Sequence, residues 1–126
     1  MHYVIAVKSA YYGNEGASLA LKFAQTVISQ GHSIDQVFFF QDGVMNANQF
    51  IYPANDEVNL QQAWQKFAEQ HQIPLHLCIA AAQRRGVVST ETSQNKQNNN
   101  LAHPFVLAGL GEFIQATLKT DRVITL

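Results

Sequence analysis

The sequence is poor in cysteine and in charge. Cys78 is the only cysteine among 126 residues. An intrachain disulfide is therefore impossible, which excludes a disulfide-stapled secreted scaffold. The same scarcity excludes a CxxC redox centre and a thiolate zinc site. Asp, Glu, Lys and Arg make up 13% of the chain, about half the usual share of a soluble domain. With a net charge of −1 and no basic stripe, direct nucleic-acid binding is not expected. No apolar run approaches the roughly 18 to 20 residues of a membrane span. The opening MHYVIAVKSAYYG has no basic n-region and no small-residue cleavage site, and it reads as a strand rather than a signal peptide. A cytoplasmic protein without membrane contact is expected. His and Asp do not cluster at ligand spacing, so no metal is expected.

What replaces charge is amide. Fourteen Gln and nine Asn build the polar surface, beside 47% hydrophobic residues. Low charge with that much apolar side chain points to a surface partly covered by partner chains. The length fits a single domain over 1–126, long enough to bury a core unaided.

Strand and helix signals alternate. Residues 3–8 (YVIAVK) form a β-branched run ending in a glycine-bearing loop, 11–16. A helix is expected over 17–30, with Leu19, Ala20, Phe23, Ala24, Val27 and Ile28 at helical spacing and Gly31 as the residue just beyond it. Residues 34–40 read as the second strand, bounded by Asp42-Gly43, with one helical turn near Asn46 to Asn48. Asp56 is a plausible N-cap for a helix over 58–71, packed through Leu60, Ala63, Trp64 and Phe67. Pro74 opens a third strand, 75–79, which contains Cys78. A short helix over 80–85 ending at Gly86 follows. The Asn/Gln-rich stretch 89–100 lacks apolar periodicity and is expected to be a mobile surface loop. A last helix over 104–119 and a closing strand over 122–126 complete the pattern. The expected fold is α/β: a small doubly wound, mostly parallel sheet of four or five strands with helices on both faces. In such sheets function gathers at the carboxyl ends of the strands.

Cys78 sits at or near such an end. A cysteine nucleophile works as its thiolate. The step from LHLC into IAAAQRRG offers free backbone N–H groups and the positive end of a helix dipole. Arg84 and Arg85 add positive potential unless they turn to solvent. Against this stands the plain alternative that Cys78 is a small buried residue. His76, two residues earlier, shares a side of the strand with Cys78 but makes no triad. His2, His32, His71 and His103 read as ordinary polar residues. Gly13-Asn14-Glu15-Gly16 holds the place of a phosphate loop without spelling GxGxxG, and a tight turn explains it as well. Asp42, Asp56 and Glu57 suit turns and caps better than paired-acid catalysis. Phe38, Phe39 and Phe40 suit a strand buried on both faces.

Several segments taken together carry a family resemblance: VFFFQDGVMNANQ (37–49), PANDE (53–57), Ala63-Trp64, LCIAAAQRRGVV (77–88), LAGL (107–110) and Asp121-Arg122-Val123. On these the chain resembles the DsrE-like family, and within it the sulfurtransferase subunits of the tRNA 2-thiouridine pathway. The resemblance implies an enzyme, a sulfurtransferase, with Cys78 as its catalytic residue and no cofactor beyond a covalent cysteine persulfide. It implies a heterohexamer with TusB-like and TusC-like subunits, a TusA-like donor, and a TusE-like acceptor that passes the sulfur on to wobble-uridine thiolation. A DsrE-type subunit of a sulfur-oxidation complex, a non-catalytic structural subunit and a small-ligand binder using Gly13 to Gly16 are the competing readings. The amide-rich stretch 89–100 departs from the family pattern.

Overall fold

The computed structural model describes residues 1–126. Its strands are β1 (His2–Val7), β2 (Ser33–Phe39), β3 (Leu75–Cys78), β4 (Val106–Ala108) and β5 (Arg122–Thr125). Its helices are α1 (Gly16–Ser29), α2 (Leu60–His71), α3 (Ile79–Arg84) and α4 (Leu110–Lys119), with a 3-10 stretch over Gln41–Ala47. The five strands lie in the order β4-β3-β2-β1-β5, and every pair is parallel. No helix is long and apolar enough to cross a membrane.

The chain steps from β1 to β4 in one direction across the sheet, so right-handed crossovers place α1, α2 and α3 on one face. The return from β4 to β5 reverses direction and carries α4 to the other face. Strand alternation divides the side chains accordingly. Ile5, Val7, Val37, Phe39, Leu75 and Leu77 join a continuous core with Ala20 and Ala24 of α1 and Trp64 and Phe67 of α2. Phe39 meets Trp64 and Phe105 edge-on, at centroid distances of 5.2 and 5.3 Å.

The opposite face is only half covered. Val4, Ala6 and Phe38 are buried there, and Phe113 of α4 stacks on Phe38 at 4.3 Å. No residue of α4 is itself buried. Geometry explains the shortfall. Five strands spaced about 4.8 Å apart span about 19 Å between the outer strand axes, whereas one helix is about 10–12 Å across. Val106 on β4 and Val123 on β5 remain exposed at the two margins.

Amide side chains hold the loops that charge would otherwise hold. Asn46 Nδ2 donates to the Ser9 and Gly43 carbonyls at 3.0 and 2.8 Å. Gln61 Nε2 donates to the carbonyls of Asn46 and Asn48, both at 2.9 Å. The 3-10 stretch lies so close to β1 that a Cβ at Gly43 would collide with the Val7 carbonyl oxygen. Gly31 takes φ +85° beyond α1, and the neighbouring His32 N–H closes back on the Val27 carbonyl at 3.1 Å.

Three local expectations are corrected, and the loop expected over 89–100 gains a detail at its base. The span 104–119 is not one helix: Val106–Ala108 forms β4 against β3, and α4 starts only at Leu110. Three strand residues are too few to show a period, and β4 exists because β3 offers it a ladder. The N-cap of α2 is Asn59, whose side chain accepts from the Gln62 N–H at 3.1 Å, not Asp56. Leu19 faces outward, while Ala17 and Leu21 turn inward. The 89–100 stretch is fastened at its base by buried Asn100. Its Oδ1 accepts from the Val88 N–H at 2.8 Å, and its Nδ2 donates to the Gly86 carbonyl at 2.9 Å.

Candidate functional site

Cys78 is the last residue of β3 and the N-cap residue of α3. Its backbone is extended (φ −61°, ψ 120°), and its side chain makes no capping hydrogen bond. The thiol is free and half-buried. Register pairs it with Ala108, the last residue of β4. It also aligns His76 with Phe38, so Phe40 comes next beside Cys78. Strand alternation turns Cys78 toward the half-covered face, between Phe40 and Ala108, and at this strand end it also packs against the closed core. Phe40 stacks on Phe38 at 6.2 Å, which makes that flank aromatic.

Two helices begin at this point. α3 starts immediately after Cys78, and α4 starts two residues beyond its ladder partner Ala108. Neither N-cap residue, Cys78 or Gly109, supplies a side-chain acceptor. The first-turn N–H groups of both helices therefore have no side-chain cap, and both positive dipole ends open at the carboxyl edge of the sheet. That edge favours negative charge.

His76 does share the face of Cys78, but two residues of strand separate them by about 6.6 Å. Its Nδ1 is buried without a hydrogen-bond partner, and no bond joins it to the thiol. A thiol–imidazole dyad of the protease kind is thus not assembled. Arg85 is committed elsewhere: its Nε donates to Asp42 Oδ1 at 2.8 Å and its Nη1 to the Ala81 carbonyl at 3.2 Å. This pair ties α3 to the 3-10 stretch instead of leaving Arg85 as a free cation over the sulfur. Arg84 is exposed in the last turn of α3.

The remaining candidates separate from Cys78. Asn14 Oδ1 accepts from the Gly16 N–H at 2.9 Å, so Gly13 to Gly16 is a tight turn into α1. Glu57 Oε2 accepts from Tyr12 Oη at 2.6 Å and from the Ala54 N–H at 3.2 Å. That hydrogen bond to Glu57 raises the Tyr12 pKa to about 12. His2 faces Asp35 at 3.1 Å, and His32 faces the terminal amine at 3.0 Å. No three His, Cys, Asp or Glu side chains gather as a metal site. Hollows of about 420 and 330 Å³ open elsewhere, and neither is lined by Cys78. The sequence reading missed β4 and, with it, the second helix start beside Cys78. The signal available was Val106 between Pro104 and Gly109, a break in the helical pattern.

Comparison with known proteins agrees with this architecture. The DsrE/DsrF-like family matches residues 1–126. A "Sulfurtransferase TusD homolog" of Haemophilus influenzae is 60% identical over 126 residues, covering all of both chains. One of the same description from Pasteurella multocida is 57% identical, also over all of both chains. A "Sulfurtransferase TusD" of Pectobacterium carotovorum is 48% identical, with 98% of each chain covered. The crystal structure of the E. coli ychN protein superposes with a TM-score of 0.79 over all of both chains at 24% identity. That likeness shows the fold.

Proposed function

The chain belongs to the DsrE/DsrF-like family, and from that premise we propose that it is a cytoplasmic sulfurtransferase whose Cys78 carries sulfur as a persulfide between proteins. The observation that carries the reading is the placement of the sole thiol at a carboxyl strand end where two helices begin. The curated relatives described as sulfurtransferases support the activity. The pathway proposed is sulfur relay to tRNA wobble-uridine 2-thiolation, with a TusA-like donor and a TusE-like acceptor.

The chemistry needs one thiolate and no cofactor. The Cys78 thiolate attacks the outer sulfur of the donor persulfide. A new S–S bond forms on Cys78, the donor S–S bond breaks, and its electron pair leaves on the donor thiolate. The thiol proton lost by Cys78 is balanced by one gained at the donor. The acceptor thiolate then attacks the outer sulfur on Cys78, which leaves as thiolate. Neither step is a net oxidation. As in thiol–disulfide exchange, rate follows thiolate fraction and access. A second cysteine within reach would discharge the persulfide as a disulfide and release sulfide; this chain has none.

The half-covered face supports assembly with TusB-like and TusC-like subunits. Leu110, Ile114 and Leu118 recur every fourth residue along one flank of α4 and are all exposed. Gln36 Oε1 and His76 Nδ1 on this face are buried without partners. A subunit packed here completes the missing layer.

The direct test is intact mass after incubation of the assembled complex with a persulfide-loaded donor. An added mass of about 32 Da that dithiothreitol removes, absent in Cys78→Ser, is the expected result. Its absence with an active donor would leave Cys78 without this role.

A further inference from the structure

We infer that the hollow between the loop after β1 and the start of α2 binds a guanidinium group, the arginine side chain of a partner protein, through Glu57, Ser18 and the ring face of Tyr12. This holds independently of the sulfur-carrier reading.

The hollow has a volume of about 210 Å³ and is lined by Tyr11, Tyr12, Ser18, Glu57, Val58 and Leu60. Tyr12 and Glu57 meet at its wall, where Tyr12 Oη donates to Glu57 Oε2 at 2.6 Å. The Tyr12 ring stacks on Tyr11, with centroids 4.7 Å apart and 22° between the planes. Tyr11 is itself buried and fixed, its Oη accepting from the Leu60 N–H at 2.6 Å. One face of the Tyr12 ring is therefore covered, and Tyr12 remains 50% exposed, which leaves the other face free. The Ala54 N–H also bonds Glu57 Oε2, at 3.2 Å. Both bonds thus fall on one carboxylate oxygen and leave Oε1 unclaimed. Ser18 adds an exposed hydroxyl.

What the hollow lacks is a cation. No Lys or Arg lines it, and the ion pairs of the chain are His2 with Asp35 and Arg85 with Asp42. Both α1 and α2 start beside it, but leading N–H groups are already taken: Gly16 by Asn14 Oδ1, Leu60 by Tyr11 Oη and Gln62 by Asn59 Oδ1. The unclaimed groups are a carboxylate oxygen, a hydroxyl and a ring face.

That set suits a guanidinium. Its planar fork carries five N–H donors, bonds carboxylates and stacks on aromatic rings. An ammonium is a compact, strongly hydrated charge that cannot lie flat on the ring. The bond to Glu57 raises the Tyr12 pKa to about 12, so the ring stays neutral and the bond persists at ordinary pH. Val58 and Leu60 offer apolar contact to the methylene stem. Size and charge select the source. Small-molecule sites run to about 300–1,000 Å³, and this hollow is smaller, closer to the volume of one side chain. A free amino acid would also bring a carboxylate, for which the hollow holds no cation. Arginine presented by a protein brings the guanidinium alone, and it is enriched where interfaces are anchored.

The test is a titration of the isotope-labelled chain with Nα-acetyl-arginine-N-methylamide, followed by NMR. Saturable shifts at Tyr12, Ser18, Glu57 and Val58 are expected. The citrulline counterpart, of the same shape but uncharged, should produce none, and the lysine counterpart should bind more weakly. Glu57→Gln keeps an acceptor for Tyr12 Oη and should weaken arginine binding about tenfold. Tyr12→Leu should weaken it about threefold. The rest of the spectrum should not move in either variant, since both side chains are exposed. Absence of saturable shifts with the arginine probe overturns the inference. Equal binding of the citrulline or lysine counterpart, or unaltered affinity in both variants, overturns it too. Agmatine, a guanidinium on a free amine, binding about tenfold tighter than the blocked arginine would assign the hollow to a small free amine and overturn it likewise.

Discussion

The two faces of the sheet are built to different standards. On the face bearing α1, α2 and α3, Ile5, Val37, Phe39, Leu75 and Leu77 meet Trp64 and Phe67 in one closed core. On the other, a single helix with no buried residue covers only part of the sheet and is anchored by the Phe38–Phe113 stack. Stability resides in the first face. Cys78, the residue proposed to carry sulfur, stands at the margin between the two: it packs against the closed core yet keeps part of its surface open. A face finished within the chain leaves no room for partners, and a sulfur carrier must be met by them in turn.

Breaking the closed face should have the largest effect on folding. Trp64 is fully buried, and Trp64→Ala is expected to cost about 3–5 kcal/mol, read as a lower urea midpoint. A small loss there would mean that the core does not close as described. The half-covered face should respond in the opposite sense. Ile114→Ser/Leu118→Ser is expected to change the stability of the isolated chain by no more than about 0.5 kcal/mol per site. It should nevertheless reduce the mass of the complex formed with related subunits. A full-mass complex would remove this flank of α4 from the interface.

A smaller effect sharpens the comparison at the β5 margin, where a rim contact substitutes for a core. Asp121 Oδ2 accepts from the His2 N–H at 2.7 Å, and this bond holds the Asp121 carboxyl below its usual value of 3.8. A depressed carboxyl stabilises the fold above its unfolded pKa, and that contribution fades as pH falls through the lowered value. The stability difference between the parent and Asp121→Asn should therefore be present at neutral pH and shrink in acid. A difference that grows in acid would contradict the assignment.

Much of this was legible in the sequence, for definite reasons. The runs YVIAVK and VFFF marked β1 and β2 because strands buried on both faces read as continuous apolar segments. The 3.6-residue spacing of Ala20, Ala24 and Val27 marked α1, and Leu60, Trp64 and Phe67 marked α2. Cys78 stood out as the only cysteine, near a strand end that leads into a helix, and its role came from the family resemblance. What stayed hidden depends on tertiary pairing. β4 is three residues long and owes its existence to the ladder with β3. Without it, the second helix start beside Cys78 had no place. The role of the amides was equally invisible. Asn46, Gln61 and Asn100 are clasps between loops far apart in sequence, and composition alone showed them only as polar surface. Arg85 looked available to the sulfur until Asp42, 43 residues away, claimed it.

The most direct measurement is a single-turnover chase of radiolabelled sulfur through the assembled complex. The label should appear on Cys78 before it reaches the acceptor, and it should leave Cys78 at the rate at which the acceptor gains it. Cys78→Ser should pass none. Label reaching the acceptor at an undiminished rate through Cys78→Ser would show that the sulfur travels by another route.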